Sequence, residues 1–439
     1  MVTDVSVLPL GTASPLVRRY QTMLTERPHR MTRVVRGAVV GGSGTVNGGY
    51  FCRGLRRDFD GWDLPGWSWD EVLAHFRAIE NDHDFSGPAH GQGGPIPIRR
   101  VSELSRTTTD FVDCARQAGY RWIPDLNSTD ELAGIGPVPL NIADGGVRAG
   151  PGTAVLLPAL SRPNLALQAR TRVRRLTLKG SRVTGVEAVG AQGVFQLTAD
   201  RIVLCAGAIE SARLLMLSGI GDETVLRRAG IAVVMDSPVG RQCVDHPEWV
   251  IRTSWITTPG RPLVEAILCT EFDIEMRPYT GGFVAMVGGH AGSAIGPDGT
   301  AGHPDWPHIG VALMRPRSRG RVTVVSADPG VPPRVEHRYD TEPADVAALR
   351  RGAELVRDLC SRSTTLGEPL WSTSQHLSST APMGTDDDER AMLDPQCRVR
   401  GVDGLWVIDG SALPTTTGRG PHATIVMLAH RAAEFVAAE

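Results

Sequence analysis

The chain has 439 residues, 41% hydrophobic and 21% charged, a balance suited to two or three globular domains and not to a disordered or fibrous protein. Its net charge of −2 argues against a general affinity for nucleic acid or for an anionic membrane surface. No apolar run approaches the about 18–20 residues that a bilayer-spanning helix needs.

Seven cysteines (Cys52, Cys114, Cys205, Cys243, Cys269, Cys360 and Cys397) are scattered without a CxxC pair. That argues against a disulfide framework or a zinc site and for a reducing compartment. The opening MVTDVSVLPLGTASPL has neither the basic nor the long apolar region of a secretory leader. A cytoplasmic location is expected, with peripheral contact at the inner face of the membrane left open.

Pro9, Gly11, Pro15 and Pro28 punctuate residues 1–30, which read as a loop-rich lead-in and not as a strand. VRGAVVGGSGTVNGGYFCRG follows. Its clustered glycines leave backbone amides bare to a closely approaching ligand, and Ser43, Thr45 and Asn47 add polar side chains. It is not a dinucleotide fingerprint, because the register gives Gly42, Gly44 and then Asn47. Ser68 with Glu71 forms a capping box ahead of Val72, Phe76 and Ile79 at helical spacing. Residues 90–100 read as a turn and a short edge strand, 107–118 as a helix, and 121–150 as turns.

From 152 the pattern becomes α/β. A helix over 154–160 precedes several strand-like stretches, the last of which, RIVLCAGA, runs directly into the helix IESARLLMLSG. A buried parallel strand with its tip at a helix N-terminus has this pattern, either as an anion site or as an ordinary βα unit. Beyond residue 246, EWVIRTSWI, GGFVAMVG, PHIGVALMRP and RGRVTVVS read as antiparallel strands, so the domain change is placed there. EPADVAALRRGAELVRDLCS is an amphipathic helix. A short strand over Leu405–Asp409 then leads to an apolar helix reaching Phe435.

His376 and His422 are the candidate catalytic residues. His376 precedes a small polar Ser-Ser-Thr-Ala-Pro bend; His422 follows Gly-Arg-Gly-Pro at a helix start, where the positive dipole end disfavours imidazolium. A neutral imidazole can act as a general base. There is no GxSxG elbow, P-loop, HExxH or histidine–cysteine metal spacing, so no metal is expected. The other histidines (His29, His75, His83, His90, His246, His290, His303, His308, His337 and His430) are expected at surface, turn or packing positions.

RGAVVGGSGTVNGGYFCRG with DFDGW, GAIESARLLMLSGIG, RPNL, VGRQCVDHP, RGRVTVVSADP and the series HLSSTAPMG, VIDGSALP and GPHAT together resemble the glucose–methanol–choline (GMC) oxidoreductases. YFCRGLRRDFDGW, DHPEWV, DWPHIGVALMRPRSRGR and EHRYDTEPADVAALRRG look most like the branch associated with the redox cofactor mycofactocin.

The resemblance implies an α/β, Rossmann-like FAD-binding domain (1–58 with 152–245 and 385–439). It implies an α+β substrate domain with a mostly antiparallel sheet (59–151 with 246–384). FAD would oxidise an alcohol, preferentially as a dehydrogenase, with His376 as base and His422 as its partner. Gly41, Gly42, Ser43, Asn47 and Gly48 would line the pyrophosphate and isoalloxazine, and Val173 would meet the adenine through its backbone. Asp409 and Gly410 would lie near the ribityl and phosphate region, with Pro421, His422 and Thr424 completing the pocket. Reduced mycofactocin would be the substrate and a respiratory-chain acceptor would receive the electrons. A choline-, aryl- or small-alcohol dehydrogenase and a flavin-free binding or scaffold protein are the alternatives. The chain departs from the family at its start, where no strand–GxGxxG–helix–strand unit of roughly 30 residues is found. A start site placed too far downstream is the expected reason, and weak FAD retention its expected result.

Overall fold

A computed structural model describes residues 4–10, 14–128, 133–281 and 307–439. The parallel element expected from RIVLCAGA is present. Strand Ile202–Leu204 pairs in parallel with Leu405–Val407 and passes into helix Gly207–Leu217, while Leu405–Val407 leads through a turn-rich loop to helix His422–Ala437. Asp409 ties the two strand tips together. Its carboxylate accepts from Gly207 N at 2.8 Å, from Ser411 N at 2.8 Å and from the hydroxyls of Ser211 and Ser411. Among the described residues Ile202–Leu204 has no partner on its second edge, where Val203 is 39% exposed.

The lead-in expectation is corrected. Val17–Glu26 and His29–Gly37 form an antiparallel hairpin, and Val17–Glu26 also pairs in parallel with Arg334–Glu336. The strand was hidden because its buried residues, Tyr20, Thr22, Met23, Leu24 and Thr25, do not alternate with polar ones. It is covered on both faces, and the Tyr20 hydroxyl donates to Glu210 on the helix behind it. RGRVTVVS also changes place. Arg321–Thr323 pairs with Arg334–Glu336 and so completes this sheet, not the one formed by the other strands beyond 246. Arg172–Lys179, Arg182–Gly190 and Gly193–Thr198 form a separate antiparallel meander.

The second large sheet has six antiparallel strands in the order Leu370–Thr373, Pro247–Arg252, His308–Leu313, Ile274–Tyr279, Ala266–Cys269 and Gly134–Pro137. Period-2 alternation gives it two unlike faces. Ile251, Ile274, Met276, Ile309, Val311 and Leu313 pack on helices Arg106–Gln117 and Pro343–Cys360. Glu248, Glu275, Arg277, Tyr279 and His308 occupy the opposite face, also buried. The stretch GGFVAMVG, beyond its first residue, and His290 and His303 lie outside the described residues.

The capping box forms as expected, with Ser68 N donating to Glu71 Oε2 at 3.0 Å at the start of helix Trp69–Ile79. The expected helix over 154–160 is a π-type turn, Gly152–Leu156, followed by the short Leu157–Ala159.

Gly352 lets the Pro343–Cys360 helix lie directly on the sheet. A Cβ there would stand 3.2 Å from Ile274 Cγ2 and also press on Val311. Gly352→Val should cost about 1–3 kcal/mol by overpacking, read as a lowered midpoint in thermal or urea unfolding.

Candidate active site

The two candidate histidines enter the site from different elements. His376 follows strand Leu370–Thr373, and His422 opens the C-terminal helix. Both are partly exposed within otherwise buried surroundings. His376 approaches the loop ahead of His422 at Gly420: a Cβ on Gly420 would come 3.0 Å from the Tyr50 ring and 3.2 Å from His376 Cε1. The neighbouring Phe51 meets His422 edge-on, with ring centroids 5.2 Å apart. Residues 50 and 51 therefore link the glycine-rich segment to both histidines.

The protonation of His422 follows from its partners. Asn47 Oδ1 accepts from Gly49 N at 3.0 Å, so Asn47 Nδ2 faces His422 Nδ1, 3.1 Å away, and donates to it. The proton of the neutral ring then sits on Nε2, which is buried without a protein partner. Gly44 faces that nitrogen, and a Cβ on it would stand 2.9 Å from Nε2 and 3.1 Å from Pro151 Cδ. Gly44 was not singled out by its position in the motif, yet its missing side chain lets this backbone pack directly against His422.

Burial lowers the His422 pKa to about 4. Burial, with smaller contributions from His246, Arg277 and Arg36, pushes His376 well below the usual histidine range. Both rings are neutral at pH 7.

His246, expected to be a packing residue, is corrected to a member of this site. Its Nδ1 lies 2.9 Å from His376 Nδ1, with the rings edge-to-face at a centroid separation of 5.1 Å. Its neighbour Asp245 accepts from the peptide N–H of His246 at 2.7 Å and of His376 at 2.8 Å through one oxygen, and from Thr373 Oγ1 at 2.7 Å through the other. The only signal in the sequence was an Asp-His pair directly ahead of a strand.

The remaining candidates divide by how their groups are used. Gly41, at φ 86°, packs against the backbone of Gly152, and Ser43 Oγ accepts from Gly37 N at 3.1 Å. Gly48 faces Leu263 at ordinary contact distance. Thr424 Oγ1 accepts from Gly54 N at 3.3 Å; a Cβ on Gly410 would stand 3.2 Å from Ile425 Cδ1; Pro421 precedes the helix as its cap. Asp409 is engaged by the strand tips. Gly42, at φ 56°, faces open space, and a Cβ on it would meet nothing within 4 Å. Val173 lies far along the chain from this group, on strand Arg172–Lys179, where the ladder register shifts between Val173 and Arg175.

The polar face of the six-stranded sheet continues the site. Arg277 donates from Nε to Glu275 at 2.7 Å and from Nη1 to Glu248 at 3.2 Å and Ser374 Oγ at 2.9 Å. Tyr279 donates to Glu248 at 2.8 Å and Tyr50 to Glu275 at 3.0 Å.

A second buried ionic group holds the Arg53 segment. Glu80, Asp82 and His90 lie close enough together to ligate an ion. Their charges are met by side chains instead: Arg53 pairs with Glu80, Arg100 bridges Asp82 at 2.7 Å and Asp125 at 2.9 Å, and His90 Nε2 meets Asp125 at 2.8 Å. With His90 protonated, Arg53, Arg100 and His90 balance the three carboxylates. Burial alone would lower the His90 pKa, but its bonds to Asp125, Asp82 and Glu80 raise it to about 10.

Comparison with known proteins defines the class. The N-terminal GMC oxidoreductase family pattern matches residues 15–248 and the C-terminal pattern residues 316–429. The chain belongs to the GMC oxidoreductase family. It is 36% identical to a GMC-type oxidoreductase from the thcA 5′ region of Rhodococcus erythropolis, over 98% of this chain and 88% of that protein. It is 31% identical to an oxygen-dependent choline dehydrogenase of Photobacterium profundum, over 91% of this chain and 79% of the relative. Among solved structures, pyridoxine 4-oxidase of Mesorbium loti superposes with a TM-score of 0.89 at 28% identity, covering 100% of this chain and 91% of that one.

The His90 group gives a pH test. A pKa raised on folding stabilises fully below the unfolded value of about 6.5, and that contribution is lost as pH rises through the folded value. The stability difference between the wild-type protein and His90→Asn should therefore be largest below about pH 6.5 and shrink by a few kcal/mol by about pH 10. Urea unfolding across that range measures it.

Proposed function

We propose that the chain oxidises an alcohol with FAD as hydride acceptor, and that its donor is reduced mycofactocin. The observation that carries the reaction class is the pair of neutral imidazoles, His376 beside Gly420 and His422 two residues beyond it, in a chain of this family. The unpartnered Nε2–H of His422 and the open space beside Gly42 fit a flavin at this end. Gly41, Gly42, Ser43, Asn47 and Gly48 would hold it along the glycine-rich segment, with Asp409, Gly410, Pro421 and Thr424 behind. The strand irregularity beside Val173 suits backbone contact with an adenine.

When bound, FAD supplies the two-electron acceptor. The side chains do the rest. His376 receives the hydroxyl proton, and the His422 Nε2–H donates toward the oxygen on which charge develops. Neutral rings serve both roles, since a resting imidazolium could not accept the proton. The likeness of YFCRGLRRDFDGW, DHPEWV and EHRYDTEPADVAALRRG to the mycofactocin branch supports the particular donor. Passage of electrons to a respiratory-chain acceptor, as a dehydrogenase in the cytoplasm at the inner face of the membrane, belongs to the same proposal. Residues 1–58, 152–245 and 385–439 would carry FAD, and 59–151 with 246–384 the substrate.

A choline- or small-alcohol dehydrogenase is the second reading, favoured by the 31% identity to the choline dehydrogenase. Flavin reduction by reduced mycofactocin, choline and an aryl alcohol, followed anaerobically by absorbance, separates the two. Faster reduction by choline would replace the donor proposed here, and a purified protein without flavin absorbance that takes up no added FAD would remove the reaction class.

His376→Ala should slow substrate-dependent flavin reduction by about 10²–10⁴-fold. Because burial holds the histidines neutral, kcat/KM should stay level from pH 8 down to about pH 5, where an ordinary histidine would begin to fail near 6.5. A pH profile of kcat/KM checks this. Gly44→Val should press on His422 and Pro151 and lower both the flavin content and the unfolding midpoint of the purified protein.

A further inference from the structure

We propose that His246 is a positioning residue that holds the His376 proton on Nδ1, leaving His376 Nε2 as the lone pair available to an alcohol. The role given to Nε2 rests on the proposed alcohol oxidation; the hydrogen bonds themselves do not.

The direction of the chain is set at its far end. His246 Nε2 lies 2.9 Å from the Thr417 carbonyl oxygen and 2.7 Å from Thr416 Oγ1. A carbonyl only accepts, so a bare Nε2 there would oppose two lone pairs. Nε2 must carry the proton, and the Thr416 hydroxyl then shares it as a second acceptor. Burial lowers the His246 pKa to about 4, so the ring has one proton, and its Nδ1 is an acceptor. His376 Nδ1, 2.9 Å away, must therefore donate. His376 is likewise neutral, which leaves Nε2 without a proton.

The reverse arrangement fails on the same contacts. If His246 donated from Nδ1, its Nε2 lone pair would face the Thr417 carbonyl in a fully buried position. Thr416 Oγ1 could then donate to Nε2, but the Thr417 carbonyl would face the same nitrogen at 2.9 Å with no hydrogen between them, which is costly in a buried site compared with the bond it replaces.

A neutral imidazole does what a carboxylate at this position could not. A carboxylate would fix the same tautomer but raise the His376 pKa, favouring a ring already protonated at rest. In this protein the nearby carboxylate, Asp245, instead accepts the peptide N–H groups of both histidines. Tautomer and charge are thus controlled separately. When the alcohol ionises, its O–H bond breaks, the electron pair stays on oxygen and the proton binds His376 Nε2. The resulting imidazolium keeps its Nδ1–H bond to His246, which stays neutral.

Nitrogen-15 NMR of the purified full chain labelled at histidine tests the assignment. His376, identified by its loss in His376→Gln, should show a protonated Nδ1 and an unprotonated Nε2. His246→Asn places an amide oxygen where Nδ1 was and should preserve that pattern, with kcat within a few-fold of wild type. His246→Leu removes the acceptor; His376 should then populate both tautomers, and kcat should fall by about 10²-fold at a KM within a few-fold. A wild-type spectrum with His376 Nε2 protonated would overturn the proposal. So would Asn and Leu variants with the same tautomer populations. The expected spectra without turnover of any alcohol would sink the oxidation reading and not the hydrogen-bond assignment.

Discussion

The buried carboxylate of Asp245 fixes the junction on which the site depends. Through three hydrogen bonds it joins the strand that begins at Pro247 to the segment carrying His376. The same two segments exchange backbone bonds between Val244 and Ser378, at 2.8 and 3.0 Å. A carboxylate removed from water is tolerated only when its lone pairs are met in full. Here the partners that meet them are the peptides that must stay in register for His246 and His376 to touch. The cost of burying the charge and the accuracy of the site are consequences of one arrangement.

A second carboxylate plays the corresponding part at the parallel strand pair. Asp409 binds the amide at the start of helix Gly207–Leu217 and the turn after Leu405–Val407, so the ends of the two parallel strands move together. The loop that leaves this turn supplies Thr416, Thr417, Gly420 and finally His422. His246 is bonded to that loop through Thr416 and Thr417. His246 therefore ties the segment carrying His376 to the loop that leads into His422.

Much of this was legible in the residues. RIVLCAGA followed by a helical stretch marks a parallel strand entering a helix, although the expected burial is not met, Val203 being 39% exposed, and the Ser68–Glu71 spacing marks a helix start by its own hydrogen bonds. His376 and His422 stood out because small, turn-forming residues surround them. What could not be read depends on partners distant in sequence. Val17–Glu26 is a strand because a helix and a second sheet edge cover it, and its own pattern does not alternate. Arg321–Thr323 has a strand pattern that says nothing about which sheet it joins. His246 looked like any buried histidine, since its meaning lies in a contact 130 residues away. The side chains of Asp409 and Ser43 also hold the chain's own turns, a use that their place in the sequence does not show.

The polar face of the six-stranded sheet also limits how this protein can change. Glu248, Glu275, Arg277, Tyr279, Tyr50 and Ser374 each depend on another member, and Gly310 is bare because a Cβ there would collide with Glu248. Replacing any one of them strands a buried charge or hydroxyl. Single mutations on this face are then disfavoured, and change is easier in the loops around it. Divergence of this lineage should be recorded in those loops, with the sheet inherited as a block.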